Sequence, residues 1–233
     1  MASKKDFFII YQDDDILVVD KPAGLLSVPI PKSNTKNLYD LVAHLYAKQG
    51  KKIKTVHRID RYTGGVMVFT KNDKAFNTLK KQFRNYEPER VYLALLRGVL
   101  EKQKGELKHH LMQVKRGFRN IVVHPNTKGA TEASLEYQVL EALPTTTLVQ
   151  VNLKTGLKNQ IRVQFNEEGF PLVGDRHYAE AEAKEKHINR QALHAWKLSL
   201  LHPSTGKKME FEAKLPADMQ KLIEYYRKSP KRK

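Results

Sequence analysis

Apolar positions along this chain follow two different periods. In TKNLYDLVAHLYAKQ (35–49) they return every three or four residues, with Leu38, Leu41, Val42 and Leu45 on one face, which predicts an amphipathic helix. NDKAFNTLKKQFRN (72–85) has the same period, with Asn72 or Asp73 suited to cap its start and cations gathered toward its end. Two more helices are predicted, at NQIRVQFNEEG (159–169), closed by Gly169, and at ADMQKLIEYYRKS (217–229). Elsewhere the runs are short, apolar and rich in β-branched residues: ILVVD (16–20), VMVFTK (66–71), VYLALLRGVL (91–100), ASLEYQVLEAL (133–143), TTTLVQVNLK (145–154), ALHAWKLSLL (192–201) and KKMEFEAKL (207–215). These are predicted strands, and they do not alternate regularly with helices as in a doubly wound sheet. The pattern therefore predicts an α+β fold, a mixed and largely antiparallel sheet flanked by helices. Residues 101–130 are polar and basic without a clear period, and are read as an inserted hairpin or loop over the binding face.

Charge adds a partner to this picture. The 233 residues, 40% of them hydrophobic, are enough for a substantial core, as one large domain or two joined lobes, and carry a formal net charge of +17. The segments MASKK and RKSPKRK (227–233) hold seven cations and no acid; removing them still leaves +10 on the body. A surface of that sign favours polyanions, nucleic acid above all. No apolar run approaches the roughly 18 residues of a membrane-spanning helix, and the N-terminus lacks a signal-peptide pattern. There is no cysteine, which excludes disulfides, zinc ribbons and thiol catalysis and is compatible with a reducing cytoplasm. Nine histidines form no HExxH pair, and the adjacent His109 and His110 would point to opposite faces of a strand, so no metal site is expected. Asp13, Asp14 and Asp15 lack the glycine and the downstream acid of a calcium loop and read as a solvated turn. Phosphate loops, dinucleotide turns and nucleophile elbows are also missing.

One stretch concentrates the candidate chemistry. HRIDRYTGGVMVFTK (57–71) sets a single carboxylate, Asp60, among His57, Arg58 and Arg61, ahead of a Thr-Gly-Gly turn. Such a collar suits a salt bridge, or a carboxylate kept ionised to act as a nucleophile. Lys21 and Lys71 stand at strand ends, as phosphate contacts or as solvated lysines.

Several segments resemble the RluA-type family of RNA pseudouridine synthases, in the same order along nearly the whole chain. DDDILVVDKPAGLLSVP is similar to that family's opening strand and Lys-Pro-x-Gly turn, and HRIDRYTGG to its His-Arg-Leu-Asp segment, usually followed by Thr-Ser-Gly. RVYLALLRG resembles its Lys-x-Tyr strand, KTGLKNQIRVQFNEEGFPLVGDRHY its Gln-Ile-Arg region, and LHAWKLSLLHPSTGKKMEFEAKLP its C-terminal strands. The resemblance implies isomerisation of uridine to pseudouridine in ribosomal or transfer RNA, with no cofactor. It implies Asp60 as the catalytic carboxylate, Tyr92 as the aromatic residue against the target base and Arg162 as the basic partner of the carboxylate. Arg58 is then placed to fill the gap left by an extruded base or to grip a phosphate, with His57 beside it as a brace for the loop. Thr63, Gly64 and Gly65 would let the backbone approach RNA.

The chain departs from the family pattern at three positions: Gly64 stands for a serine, Leu157 for a basic residue and Asn159 for a histidine, while Lys158 beside them is a candidate phosphate contact. The resulting layout is a basic N-terminal tail (1–8), a catalytic domain (9–226) and a basic C-terminal tail (227–233), without the small extra RNA-binding domain of many relatives. A monomeric cytoplasmic enzyme is expected. The alternative is an RNA-binding or RNA-folding module on the same scaffold whose catalysis has lapsed.

Overall fold

The computed structural model describes residues 6–47, 49–50, 52–114, 119–179 and 185–230. The chain divides into two compact units: residues up to Arg90 join Ala195–Lys214, and Val91–His194 join the segment from Leu215 onward. The boundaries fall inside two strands, β5 (Glu89–Arg97) and β10 (Leu193–Leu201).

In the first unit the strands run in the order β1 (Phe8–Gln12), β2 (Ile16–Lys21), β4 (Gly64–Thr70), β10, with β11 (Lys208–Glu212) on β10 and the short β3 (Lys54–Thr55) on β4. The β1–β2, β2–β4, β3–β4 and β10–β11 pairings are all antiparallel. All seven residues of β4 are buried, which explains why its sequence is continuously apolar rather than alternating. One core forms where Ile16, Val18, Val66 and Val68 meet Leu198, Leu200 and Phe211, capped by Leu79 and Phe83 of α2 (Asp73–Arg84). Asn72 caps α2, accepting the Ala75 amide at 2.8 Å. Helix α1 (Leu38–Ala47) buries Leu38, Val42 and Tyr46, whereas Leu45, expected on the buried face, is exposed.

In the second unit the order is β5, β9 (Thr146–Leu153), β8 (Thr131–Ala142), β6 (Lys104–Gln113), β7 (Asn120–Val123). Strands β6 and β7 pair as an antiparallel hairpin within residues 101–130, and β6 also pairs with β8. Helix α3 (Gln160–Glu167) lies against β6 and β7. Helix α4 (Ala217–Lys228) buries Met219, Leu222, Ile223 and Tyr226 against Leu95, Leu148 and Val173. The expected terminal tails shrink. Phe8 already belongs to β1, and Arg227 closes α4 and forks onto Glu141 at 2.7 and 2.6 Å; residues 1–5 and 231–233 lie outside the described residues. No helix among the described residues is long and apolar enough to cross a membrane.

The Thr-Gly-Gly segment has a different use from the one expected. Gly64 and Gly65 open β4 and are buried, and a Cβ on Gly65, at φ +121°, would sit 2.0 Å from the Ala195 carbonyl oxygen. The close approach made there is therefore between two backbones of the same sheet. Gly65→Ala should lower stability by about 3 kcal/mol or more. Gly206→Ala, at φ +67° with nothing within 4 Å of the new methyl, should cost only about 1 kcal/mol, the difference being read from urea unfolding midpoints.

Candidate active site

Asp60 sits in a loop that is fastened on both sides. Before it, Ser27 Oγ donates to the Ile59 carbonyl at 2.6 Å and accepts the Ile59 amide at 3.2 Å. After it, the Arg61 carbonyl accepts the Gly24 amide at 2.8 Å and the Lys21 ammonium at 3.1 Å, while Arg61 Nε donates back to the Gly24 carbonyl at 2.9 Å. The Thr63 amide closes a turn onto the Asp60 carbonyl at 3.1 Å. The carboxylate-bearing residue is half-buried within this frame and Arg58 is exposed two residues earlier. The backbone that carries this carboxylate is thereby preorganised, with little entropy left to lose on engaging a ligand.

Lys21 and Lys71, read as phosphate contacts or solvated lysines, are neither, and His57, read as a brace beside Arg58, is turned inward with them. Lys21 is fully buried, and its ammonium donates to the carbonyls of Leu25 (2.7 Å), Pro22 (3.0 Å) and Arg61 (3.1 Å). Lys71 is also buried, donating to the Asp13 carbonyl at 2.6 Å with its ammonium 4.8 Å from the Tyr46 ring centroid. Both lysines act as internal ties, because a buried ammonium needs acceptors and main-chain carbonyls supply them. His57 accepts the Val68 amide on Nε2 at 3.0 Å and stacks on Phe83 with ring centroids 4.5 Å apart. Burial, reinforced by the nearby Arg90 guanidinium, depresses its pKa to about 3, so the ring is a neutral brace.

The acidic turn, read as solvated, is exposed at Asp14 and half-buried at Asp13 and Asp15. Asp13 accepts the Asp15 and Ile16 amides, both at 2.8 Å, and pairs with Tyr11 and His202. Burial pushes its carboxyl upward, but these bonds outweigh it and hold the pKa below the usual range. Asp13, Asp15 and His202 bring ligand atoms within 4.8 Å of one another. His202 Nδ1, however, accepts the Thr205 amide at 3.2 Å, which leaves Nε2 to donate to Asp13 at 2.9 Å. That tautomer makes the trio a hydrogen-bonded clasp rather than a ligand set.

In the second unit, Tyr92 lies buried on β5, facing away from the Leu95 core because the two are three positions apart, an odd spacing, on a strand. Arg162, on α3, has a carboxylate partner that the sequence reading did not name. Its Nε and Nη2 fork onto Asp175 at 2.7 and 2.8 Å, the Asp175 side chain being 1% exposed, and its guanidinium carbon lies 5.1 Å from the Tyr178 ring centroid. Asp175 also accepts the His177 amide at 3.0 Å. The hydroxyl of Tyr178 donates to the Asn120 carbonyl at 2.9 Å, and Asn120 Nδ2 donates to the Lys158 carbonyl at 2.7 Å, so the loop end of the β6–β7 hairpin is tied to segments on both sides of Arg162 in sequence. The signal was the GDRHY stretch, whose one acid follows an apolar run.

The family profile described as RNA pseudouridylate synthase matches residues 15–167. The chain belongs to this family. It is 37% identical to the uncharacterized RNA pseudouridine synthase YlyB of Bacillus subtilis, over 98% of this chain and 76% of that one. It is 35% identical to the dual-specificity RNA pseudouridine synthase RluA of Haemophilus influenzae, over 88% of this chain and 92% of the relative. Among solved structures, human RNA Pseudouridylate Synthase Domain Containing 4 superposes with a TM-score of 0.77 at 22% identity, covering 95% of this chain and 94% of that one, a likeness of fold. Membership makes this protein an RNA isomerase, and its departures from the family pattern acquire physical reasons. Asn159 adopts φ +56°, a left-handed conformation in which asparagine and histidine are both enriched, so the exchange keeps the backbone. Leu157 packs against Leu111, Ala133 and Val163 instead of presenting a cation. The helix start is organised by Gln160, whose Oε1 accepts the Leu157 amide at 3.0 Å and whose Nε2 donates to the Ser134 carbonyl at 3.0 Å.

The synthase should be acid-sensitive through His57. The unfolded ring binds a proton near pH 6.5 and the folded ring near 3, so stability is full above about pH 6.5 and declines as the pH falls toward 3, by at most about 1.4 kcal/mol per unit. Urea unfolding of His57→Gln between pH 6.5 and 4.5 should lack that share of the slope. Asp175→Asn should cost about 3 kcal/mol by stranding a buried guanidinium, whereas Arg162→Met with Asp175→Asn should recover stability without recovering isomerisation.

Proposed function

We propose that this synthase isomerises specific uridines in ribosomal or transfer RNA, with Asp60 as the catalytic carboxylate. The observation that carries the reading is the fastened Asp60 loop: half-buried, tied to the 21–27 segment on both sides and flanked by the exposed Arg58. The reaction breaks the bond between uracil N1 and the ribose, turns the base and rejoins it through C5. The proton lost from C5 matches the one gained at N1, so the step is redox-neutral and requires no energy input. Asp60 serves as nucleophile at the sugar or as base toward it. Tyr92 supplies a ring for the base and a hydroxyl for proton movement. Arg162 is the basic partner of the carboxylate in this reading, and its fork onto Asp175 fixes the guanidinium plane. Arg58 fills the stack left by the extruded uridine or holds an adjacent phosphate, and Lys158 contributes a further phosphate contact. The dual specificity in the name of the Haemophilus relative favours more than one target RNA.

Asp60→Asn keeps the shape of the loop and removes the charge. It should abolish pseudouridine formation, followed by carbodiimide labelling and primer extension on RNA from cells lacking the chromosomal copy, while RNA affinity stays within a few-fold. Turnover equal to wild type would overturn the role of Asp60, whereas a wild-type chain that binds RNA and forms no pseudouridine would favour the lapsed RNA-binding module.

A further inference from the structure

We infer that Arg61 and Tyr62 form a stacking platform for an unpaired nucleobase beside the target uridine. The inference rests on the reading of Asp60 as the reactive carboxylate and adds a subsite to it. Thr63 N–H bonds to the Asp60 carbonyl, which makes Arg61 and Tyr62 the two central residues of the turn that directly follows Asp60. Both are exposed, Tyr62 by 41%, although the residues on either side of them are not. An exposed tyrosine at a turn tip is ordinarily mobile. This one is backed by an arginine whose guanidinium carbon lies 5.3 Å from the ring centroid and whose Nε is anchored on the Gly24 carbonyl at 2.9 Å.

The backbone beneath is equally restrained. Gly24 N–H and the buried Lys21 ammonium converge on the Arg61 carbonyl, and Thr63, at 1% exposure, pins the far side of the turn. The result is a preorganised pair of flat surfaces, one aromatic and one cationic, next to the carboxylate. Neutral metabolites gain little from such a pair. A single-stranded nucleotide gains twice, since a base stacks on the ring or guanidinium plane while its phosphate meets the positive charge. Extruding a uridine leaves its neighbours unstacked, and a platform there replaces part of the stacking they lose. Stacking tolerates any base, so this subsite would reward an unpaired neighbour without selecting its identity.

The test is binding without turnover. Fluorescein-labelled 12-nucleotide oligouridylate and a backbone of the same length carrying abasic ribose are titrated against the full chain by fluorescence anisotropy at one salt concentration. Wild type should prefer the base-bearing strand. Tyr62→Ala should cut that preference about tenfold while leaving affinity for the abasic strand within twofold, and Tyr62→Phe should retain it. Arg61→Ala should weaken binding to both strands and narrow the preference. A Tyr62→Ala chain that keeps the full preference, a Tyr62→Phe chain that loses as much as Tyr62→Ala, or a wild type that binds both strands equally overturns the platform. Repeating the titration with Asp60→Asn separates the two readings. A platform that persists while Asp60→Asn retains isomerisation overturns the role of Asp60 alone; a missing platform with isomerisation lost in Asp60→Asn overturns the platform alone.

Discussion

Burial of the Lys21 ammonium among three backbone carbonyls is the constraint on which the candidate site depends. A charged amine removed from water is tolerated only where all its donors are satisfied, and Pro22, Leu25 and Arg61 meet that condition from two separate loops. The lysine thus joins the turn after β2 to the turn after Asp60. Ser27 and Gly24 repeat the connection through Ile59 and Arg61. Asp60 lies between those two attachment points, so its position follows from bonds made by its neighbours.

The second unit uses the same principle with the opposite charge. Asp175 is a buried carboxylate satisfied by the Arg162 fork and a backbone amide, and it fixes a guanidinium that a free rotor would leave in many orientations. Tyr178 covers that guanidinium and reaches Asn120 at the loop end of the hairpin. In both units the groups with candidate chemistry are held by polar contacts that sequence spacing does not display, while the apolar clusters supply the rigid sheets from which those contacts are made.

This division also accounts for the residues that moved from one role to another. Lys21 and Lys71 stood open between phosphate contact and solvated lysine because they are basic and lie at strand ends, and His57 was read as a brace beside Arg58. In the fold they are an ammonium under two loops, an ammonium over Tyr46 and a neutral ring on Phe83. Basic residue type reports a capacity to donate hydrogen bonds, and the acceptor may be a phosphate outside or a carbonyl inside. Leu157 shows the reverse: a departure from a basic family position that closes a small apolar cluster beneath α3.

What the sequence determined by itself is whatever depends on local period and residue order. The helices α2, α3 and α4, the buried strands β2, β4 and β9, the cap at Asn72 and the family carried by HRIDRYTGG and NQIR could all be read before any coordinates, because each is encoded within a dozen residues. The short β3 and the inward face of α1 at Tyr46 were not legible, and of the β6–β7 hairpin only the choice between hairpin and loop for 101–130 was, since a strand of two residues or a polar edge acquires its form only from the neighbour it pairs with. Tertiary structure alone decided that Gly65 answers to Ala195, that Arg162 answers to Asp175, and that Lys21 holds the Asp60 loop. Each of these is set by groups distant in sequence meeting where water is excluded, and there an unmatched donor, acceptor or methyl group costs more than any local preference supplies.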